Sequence, residues 1–430
     1  MNVLCAALMF GIVGASQAAA AVDEHTEGPL FIHRIAAHPQ DPDRFYAITS
    51  NMGVLRSDDG GRRWVPSNRG LRSFTHHALV VASGADPAHP VLYSGGWGGG
   101  VSMSADGGAT WSEINANLGN TAVDAIAVDP QWPDRLYVAT STRMYRTVDR
   151  GRRWEDFGQG LPAFSEAVGY KSLVVEPHPS MRIWLGTEGG LFRRDANARR
   201  WRRDPELGRA RVTALAYDEG RDLLYVGTIK HGLYAGTATR WKRLGGAEWF
   251  ISGVAIHPRD SRRVYVSTRG AGFYRSDDGG AHWTKSTAGL PDDDVRSLAI
   301  HPADPSRLVV GTTTSGFFYS IDSGASWKAS EPVTSLTMGQ IIAMIETNGE
   351  VEGQGHQTRD IPPAFAKCNA CHGWSDLALN AKRTYWRVPP NPRDWDETVG
   401  RMAERANLTP KERGEVLRFL SAYSRRAATP

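Results

Sequence analysis

Seven tryptophans recur at intervals of 40 to 47 residues, and no other feature constrains the fold of this chain as strongly. A fixed period of this size indicates a repeat architecture, in which each unit buries its apolar surface only against its neighbours. The interval fits one four-stranded unit. The recurring residues are Trp64, Trp111, Trp154, Trp201, Trp241, Trp283 and Trp327.

Each unit carries the same order of strand signals. An apolar stretch ends in an Asp-Pro or His-Pro turn, as at Asp129-Pro130 and His257-Pro258, and a strand rich in Tyr, Val and Thr follows. A third strand then leads into a polar turn that ends at the tryptophan. Seven such units predict an all-β, seven-bladed propeller over residues 28–330. We predict second strands at residues 45–49, 136–140, 183–187, 224–228, 264–268 and 308–312.

Five of the polar turns share the pattern S-x-D-x-G-x-x-W, with Thr for Ser in one of them. In this box the carboxylate can bond nearby backbone N–H groups, Gly relaxes the backbone, and Trp anchors the turn to its blade. We expect a structural role rather than calcium binding or acid catalysis, because the box recurs in most units. The units of Trp201 and Trp241 lack its Asp and Gly. The boxes span residues 57–64, 104–111, 147–154, 276–283 and 320–327.

These boxes make the region resemble the Asp-box (BNR-repeat) propellers, which include sialidases, sortilin-type receptors, xyloglucan-active glycosidases and a photosystem II assembly factor. The resemblance implies the fold and says little about activity. Sialidases have six blades, an arginine triad and a tyrosine nucleophile. This chain has seven units and no Arg-Ile-Pro opening motif. We therefore predict no catalytic residue in the propeller and leave open whether the protein is an enzyme.

A different kind of sequence begins near residue 331, where the strand pattern stops. Residues 394–405 place Trp395, Val399 and Met402 on one face of a predicted helix. A second helix is predicted from the capping box at residues 409–412, with Pro410 at the first helical position. Residues 331–430 are therefore predicted to form a linker and a small α-helical domain.

A haem-attachment motif lies between the propeller and these helices. Covalent haem binding needs two cysteines three positions apart and an adjacent histidine that ligates the iron, and Cys368, Cys371 and His372 meet this requirement. No second cysteine pair and no later histidine exist to complete a zinc site. We therefore predict one covalently attached haem c.

The last hundred residues resemble a small class I cytochrome c. The resemblance implies that Cys368 and Cys371 attach the haem and that His372 is the proximal ligand. Met402 is our first choice for the distal ligand, since no other methionine follows the motif; His356 and an open or Lys-ligated iron are the alternatives. A Met/His pair suits electron transfer, whereas an open position would allow ligand binding or catalysis.

The beginning of the chain indicates export. An apolar run at residues 3–13 precedes a stretch of small residues, which is typical of a secretory signal over residues 1–21, although no Lys or Arg precedes the run. This run is too short to span a bilayer, and no other segment approaches eighteen apolar residues. A net charge of +4 over 430 residues is too weak to indicate nucleic acid as a partner.

Three further clusters have structural or functional interpretations. Residues 95–100, with five glycines, are interpreted as a blade turn, and His76-His77 as a surface pair rather than part of a metal site. An arginine-rich stretch in the fourth unit is either a solvated turn, which we favour, or a docking face for an acidic redox partner. Its members are Arg193, Arg194, Arg199, Arg200, Arg202 and Arg203.

These features predict a periplasmic c-type haem protein that exchanges single electrons with a protein redox partner, with the propeller as docking platform. Two alternatives stay open. One is an oxidoreductase that holds a substrate or second cofactor in the propeller. The other is an assembly or scaffold factor for a respiratory or photosynthetic complex.

Overall fold

The structure is a computed structural model. It describes residues 31–333 except 51, 72, 83–85, 87, 97–98, 120, 163–169 and 292. The predicted signal (1–21) and the predicted helices lie outside the described residues. So do all candidate haem residues, namely Cys368, Cys371, His372, Met402 and His356.

The described residues form seven antiparallel sheets of four strands, as the sequence predicts. The first four blades contain strands β1 to β16. They are β1 (Ile32–Ala37), β2 (Phe45–Thr49), β3 (Val54–Ser57) and β4 (Val65–Pro66); β5 (His76–Ala82), β6 (Val91–Gly96), β7 (Gly100–Ser104) and β8 (Ser112–Glu113); β9 (Val123–Val128), β10 (Leu136–Thr140), β11 (Met144–Thr147) and β12 (Glu155–Asp156); β13 (Tyr170–Val175), β14 (Ile183–Thr187), β15 (Gly190–Arg194) and β16 (Arg202–Arg203).

The last three blades repeat this arrangement. They contain β17 (Val212–Asp218), β18 (Leu223–Thr228), β19 (Leu233–Thr237) and β20 (Arg240–Gly245); β21 (Phe250–Ile256), β22 (Val264–Arg269), β23 (Gly272–Ser276) and β24 (Thr284–Lys285); β25 (Val295–Ile300), β26 (Leu308–Thr312), β27 (Phe317–Ser320) and β28 (Lys328–Ala329).

Every blade consists of four consecutive strands, so no blade borrows a strand from elsewhere in the chain. The first strand of each blade is innermost, and the innermost strands pack side by side around a central channel, with β1 against β25. Buried apolar side chains fill the space between adjacent blades. The sequence alone leaves the ring closure open, and the structure closes it by packing the last blade on the first.

The closing interface uses a hydrogen bond that also occurs between consecutive blades. The Ser330 hydroxyl donates to the carbonyl oxygen of Gly61 at 2.5 Å, just as Ser67 of blade 1 donates to Gly108 of blade 2 at 2.5 Å. Trp64 of blade 1 stacks on Phe317 of blade 7, with ring centroids 4.1 Å apart. Blades 7 and 1 therefore meet through contacts of the same kind as other neighbours.

The Asp boxes are hydrogen-bonded turns, which confirms their structural interpretation. In each of the five, the first hydroxyl donates to the box carboxylate at 2.6 to 2.9 Å. That carboxylate accepts the backbone N–H of the residue before the tryptophan at 2.9 to 3.0 Å. These bonds favour the ionised form: the backbone N–H of His282, first among several donors, holds the pKa of Asp278 well below its usual range.

The box tryptophans do more than the sequence predicts. We expected each to anchor the turn to its own blade, but six of the seven indole N–H groups donate to the preceding blade. Trp111 bonds the carbonyl oxygen of Ser67 at 2.7 Å, and Trp327 bonds that of Ser286 at 3.0 Å. Trp64, in the blade that closes the ring, instead donates to Gly61 of its own turn at 3.2 Å. The tryptophan is therefore mainly a link between blades.

We expect the closing hydrogen bond to stabilise the propeller as much as its counterpart between blades 1 and 2. Replacing Ser330 with Ala removes one neutral hydrogen bond and should lower the free energy of unfolding by about 1 kcal/mol. The matched control, Ser67→Ala, should lower it by a similar amount. Chemical denaturation of both variants measures this, and a loss of cooperativity in Ser330→Ala alone would contradict the equivalence of the interfaces.

Candidate functional site

All seven innermost strands contain a β-bulge at the same place, near the strand start. In each blade one residue is skipped in the pairing with the second strand. We call the ring of skipped residues the channel mouth. It lies on the face opposite the Asp boxes, and bulges of this kind commonly redirect side chains at functional sites. The skipped residues are His33, His77, Asp124, Lys171, Thr213, Ser252 and Arg296.

Two hydroxyl residues of the mouth tie neighbouring blades together. Thr213 donates to the carbonyl oxygen of Ile251 at 2.5 Å, and Ser252 donates to that of Val295 at 2.5 Å. Each acceptor belongs to the innermost strand of the next blade. This part of the ring is therefore a structural seam, and the chemically distinctive residues lie elsewhere around the mouth.

The residue after the bulge is small in six blades and an arginine in the remaining one. Blade 1 places Arg34 at this position, paired with Ile48 of its second strand. The guanidinium is half-buried, and burial lowers the pKa of Arg34 below its usual value. Blade 1 thus breaks the repeat at the channel. The small residues at this position are Ala78, Ala125, Ser172, Ala214, Gly253 and Ser297.

Two more arginines lie on the blades that precede blade 1 around the ring. The guanidinium carbon of Arg296 is 4.9 Å from the ring centre of Phe31, and its Nε donates to Thr313 at 2.7 Å. The guanidinium carbon of Arg269 is 4.6 Å from the ring centre of Phe250. These contacts hold both cations in place at the mouth.

His33 lies within the electrostatic reach of all three arginines. Its Nε2 is 2.6 Å from the Ser50 hydroxyl, and its ring lies 4.6 Å from that of His77. Burial, followed by the charges of Arg296, Arg269 and Arg34, lowers the pKa of His33 to about 4. His33 is therefore neutral at pH 7, and the arginines carry the positive charge of this arc.

The prediction that His76 and His77 form a surface pair is wrong. His76 is 2% exposed; its Nε2 donates to the carbonyl oxygen of Ser73 at 2.7 Å, and its Nδ1 lies 2.7 Å from the Ser94 hydroxyl. His77 is half-buried at the mouth. The physical reason is that an innermost strand is covered by neighbouring blades on both faces, so its polar residues are enclosed as well.

No group of three His, Cys, Asp or Glu side chains suited to a metal ion occurs in the part of the chain that the structure describes. The same part of the chain holds no helix that could span a bilayer. The glycine-rich turn has the structural role that we expected. A Cβ atom on Gly95 would lie 2.3 Å from Val123, and one on Gly96 would lie 2.0 Å from the carbonyl oxygen of Thr75.

The arginine-rich stretch of blade 4 divides into two groups. Three members are fixed within the fold: Arg193 donates to the Ala238 carbonyl, Arg194 to the carbonyls of Ala198 and Phe157, and Arg203 lies over the Phe192 ring. The solvated-turn interpretation is therefore wrong for these three. The other three are exposed and line a depression beside Trp201, and we call them the blade-4 arginine face. They are Arg199, Arg200 and Arg202.

Comparisons of sequence match only part of this chain to known proteins. The Sortilin-Vps10 family model, described as sortilin, neurotensin receptor 3, matches residues 236–338. A probable oligoxyloglucan-reducing end-specific xyloglucanase from Neosartorya fischeri is 25% identical over 224 residues, which is 46% of this chain and 28% of that protein. This chain thus covers well under half of the length of that relative.

Comparisons of structure agree on the architecture. The GH74 xyloglucanase from Xanthomonas campestris matches with a TM-score of 0.57 at 20% identity, over 70% of this chain and 54% of that one. YCF48 bound to D1 peptide matches with a TM-score of 0.51 at 15% identity, over 68% of this chain and 93% of that one. The described part of the chain is a seven-bladed propeller with BNR-type repeats, as the sequence predicts.

We expect His76 to make the propeller sensitive to acid. Burial, opposed by the hydrogen bond to Ser73, lowers the pKa of His76 to about 4, against about 6.5 in the unfolded chain. The folded state thus favours neutral His76, and this contribution is full above pH 6.5 and is lost as the pH falls towards 4. The shift in the pKa of His76 corresponds to about 3 kcal/mol in the free energy of unfolding.

Urea unfolding at pH 7 and pH 4.5 measures this effect. The His76→Gln variant, which cannot titrate in this range, should lose less stability between the two pH values than the parent protein. Exposed His231 offers a matched control, since His231→Gln should keep the parent's acid sensitivity. An equal loss in all three proteins would contradict the assignment of acid sensitivity to His76.

Proposed function

We propose that this protein is an exported c-type haem protein that transfers single electrons to or from a protein partner, with the propeller as the docking platform. The observation that carries the proposal is the motif formed by Cys368, Cys371 and His372. The donor set suits haem c, because two thiols three positions apart match the spacing of the attachment motif and the adjacent imidazole can ligate iron. When bound, the haem supplies a one-electron redox centre.

The remaining ligand decides between electron transfer and catalysis. We propose Met402 as the distal ligand, with His356 as the alternative. Met402 and His372 would together hold the iron, and a thioether ligand would favour its reduced state, which would suit electron transfer rather than binding of an external ligand.

The hydrogen bonds of the polar groups within the propeller support this proposal. The box carboxylates are occupied by hydrogen bonds within their turns, as with Asp106 and the N–H of Thr110 at 2.9 Å. The part of the chain that the structure describes contains no trio of metal-ligating side chains. Such a domain is suited to presenting surfaces to a partner rather than to chemistry.

The blade-4 arginine face is the surface that we propose for docking. Arg199, Arg200 and Arg202 are exposed beside the depression at Trp201, and Arg152 and Arg153 of the blade 3 box are exposed on the same face of the propeller. Clustered guanidinium groups attract an acidic protein surface and accelerate its approach. The predicted secretory signal at residues 1–21 supports a periplasmic location, where c-type haem is commonly found.

A peptide-binding scaffold is the second candidate. The described propeller covers 93% of YCF48, a protein whose structure has a bound D1 peptide, but 54% of the xyloglucanase. The described propeller therefore matches a peptide-bound structure of nearly its own size. In this candidate the main function is to bind a partner rather than to transfer electrons through the haem.

The haem prediction is tested by covalent haem staining of denatured protein matured in a periplasm. The parent chain should retain haem, and Cys368→Ser combined with Cys371→Ser should abolish it because both thioether bonds are lost. Met402→Ala should retain haem but lose the weak sulfur-to-iron absorption band. Met338→Ala, which lies before the motif, is the matched control. Absence of covalent haem in the parent would refute the proposal.

The docking prediction compares two triple variants by crosslinking in the periplasm. Replacing Arg199, Arg200 and Arg202 with Gln should reduce crosslinking to an acidic protein about tenfold or more, since the surface loses three charges. The matched control replaces Arg62, Arg63 and Arg262, which are exposed arginines of blades 1 and 6. If both variants crosslink equally to the same protein, blade 4 is not the docking face.

A further inference from the structure

Blade 3 departs from the other blades in a turn on the Asp-box face. Five blades carry an arginine just before the second strand, and the register of the ladder places the residue after the third strand opposite it. In three of them that opposite residue is an aspartate, which pairs with the arginine at 2.6 to 3.3 Å. Blade 3 instead places Val148 opposite Arg135. The three aspartates are Asp58, Asp195 and Asp277.

The second acidic neighbour of this arginine is also replaced in blade 3. Three residues before the arginine, blades 1, 6 and 7 carry an aspartate, whereas blade 3 carries Trp132. These four turns are otherwise alike, because in each the arginine N–H donates to the carbonyl oxygen of that residue at 2.8 to 3.1 Å. The guanidinium carbon of Arg135 lies 4.6 Å from the ring centre of Trp132, and its Nη1 is 3.3 Å from Asp129. The aspartates of the other blades are Asp41, Asp260 and Asp304.

Blade 7 shows the effect of replacing only one of the two acids. Ile321 stands there in the position of Val148. Arg307 nevertheless keeps the carboxylates of Asp304 and of Asp43 in blade 1, at 3.0 and 2.6 Å. The arginine of blade 7 is therefore still engaged in closing the ring. Of the five blades that carry the arginine, blade 3 alone has an apolar residue at both acidic positions.

Both replacements in blade 3 expose apolar surface. Trp132 is 39% exposed and contacts the guanidinium of Arg135, and Val148 is 56% exposed. Apolar residues exposed singly are common, but here two of them take the place of carboxylates around one arginine. Tryptophan and arginine are among the residues that contribute most to protein interfaces. We call Trp132, Arg135 and Val148 the blade-3 patch.

Exposed cations accompany this patch. Arg152 and Arg153 lie in the box of the same blade, and both are exposed. Arg150 pairs with Asp134, and the Asp149 carboxylate accepts the N–H of Arg153 at 3.0 Å. The blade-4 arginine face lies on the next blade of the ring. An apolar centre with a positive rim fits an acidic protein surface. Two apolar side chains bury too little area to hold a protein on a membrane.

We infer that the blade-3 patch is the apolar anchor of the docking surface, which receives an apolar spot on an acidic protein. This inference rests on the proposed function, because that protein is the redox partner that we propose for the blade-4 arginine face. The exposed arginines attract the partner and set the rate of association. Trp132 and Val148 become buried in the complex, and their contacts set the rate of dissociation.

Site-specific photocrosslinking of the full chain in the periplasm tests where the partner binds. The crosslinker p-benzoylphenylalanine is placed at position 132, 148 or 199, and at position 65 as the matched control, since Val65 is a similarly exposed apolar residue of blade 1. We expect one acidic protein to crosslink at the first three positions and not at position 65. The inference is overturned by crosslinks at position 199 alone, which leave the blade-4 docking face standing, and by equal crosslinks at position 65. Absence of crosslinks at all four positions overturns the blade-4 docking face as well.

Surface plasmon resonance with the crosslinked protein, once purified, tests the role of the patch. Val148→Asp restores the carboxylate that three blades carry opposite the arginine, so it should preserve the fold while raising the dissociation rate about tenfold or more. Val65→Asp is the matched control and should bind as the parent does. Trp132→Ala should raise the dissociation rate similarly without changing the salt dependence of association, which the triple replacement in the blade-4 arginine face should reduce.

Circular dichroism shows whether Trp132→Ala remains folded; if it does not, Val148→Asp alone decides. The inference is overturned if the patch variants dissociate at the parent's rate, or if Val65→Asp dissociates as fast as Val148→Asp. It is also overturned if phosphatidylglycerol vesicles bind the parent but not Trp132→Ala, because the patch would then be a membrane contact. None of these outcomes affects covalent haem staining, so this inference and the haem proposal fail separately.

Discussion

The hydrogen bond from the box tryptophan to the preceding blade is the interaction on which the rest of the structure depends. A four-stranded blade exposes two faces and cannot bury either alone, so its stability comes from its neighbours. The indole N–H of Trp154, for example, donates to the carbonyl oxygen of Ile114 at 2.7 Å, across the interface between blades 2 and 3. Six of the seven tryptophans make this link, and Trp64 at the closing interface is the exception.

The sequence predicts much of this architecture because the repeat specifies it locally. Four of the six predicted second strands have the observed bounds, including Phe45–Thr49 and Leu308–Thr312, and the five boxes form the turns that their residue types indicate. Blade 5 lacks the Asp and Gly of the box, and its turn differs. Thr237 pairs with Arg240 in a short hairpin, and the indole N–H of Trp241 donates to the side chain of Asp204 instead of to a backbone carbonyl.

The sequence does not predict the channel mouth. A bulge is a matter of register between two strands, and nothing in the local residue pattern of His33 or Arg296 indicates that pairing skips these positions. The burial of His76 is equally hidden, because it depends on the blades on either side. Aligning the seven units by position would have found one signal, since Arg34 stands where the other blades have Ala, Ser or Gly.

Departures from the repeat are therefore the best guide to function in this protein. Residues that recur in most blades, such as the box aspartates, belong to the scaffold, whereas the arginines of the mouth and of blade 4 occur in particular blades. The haem motif is the strongest departure of all, because it occurs once and outside the propeller. A scaffold with specialised surfaces, joined to the haem that we propose, is the arrangement on which our electron-transfer proposal rests.

Optical potentiometric titration of the full-length protein tests the central claim most directly. If the protein is an electron-transfer cytochrome, the haem bands should follow a single reversible one-electron wave, with oxidative and reductive titrations superimposed. The spectra should not change when carbon monoxide is added to the reduced protein, because a filled sixth position excludes it. An irreversible titration, or rapid carbon monoxide binding, would contradict the account and favour ligand binding or catalysis at the iron.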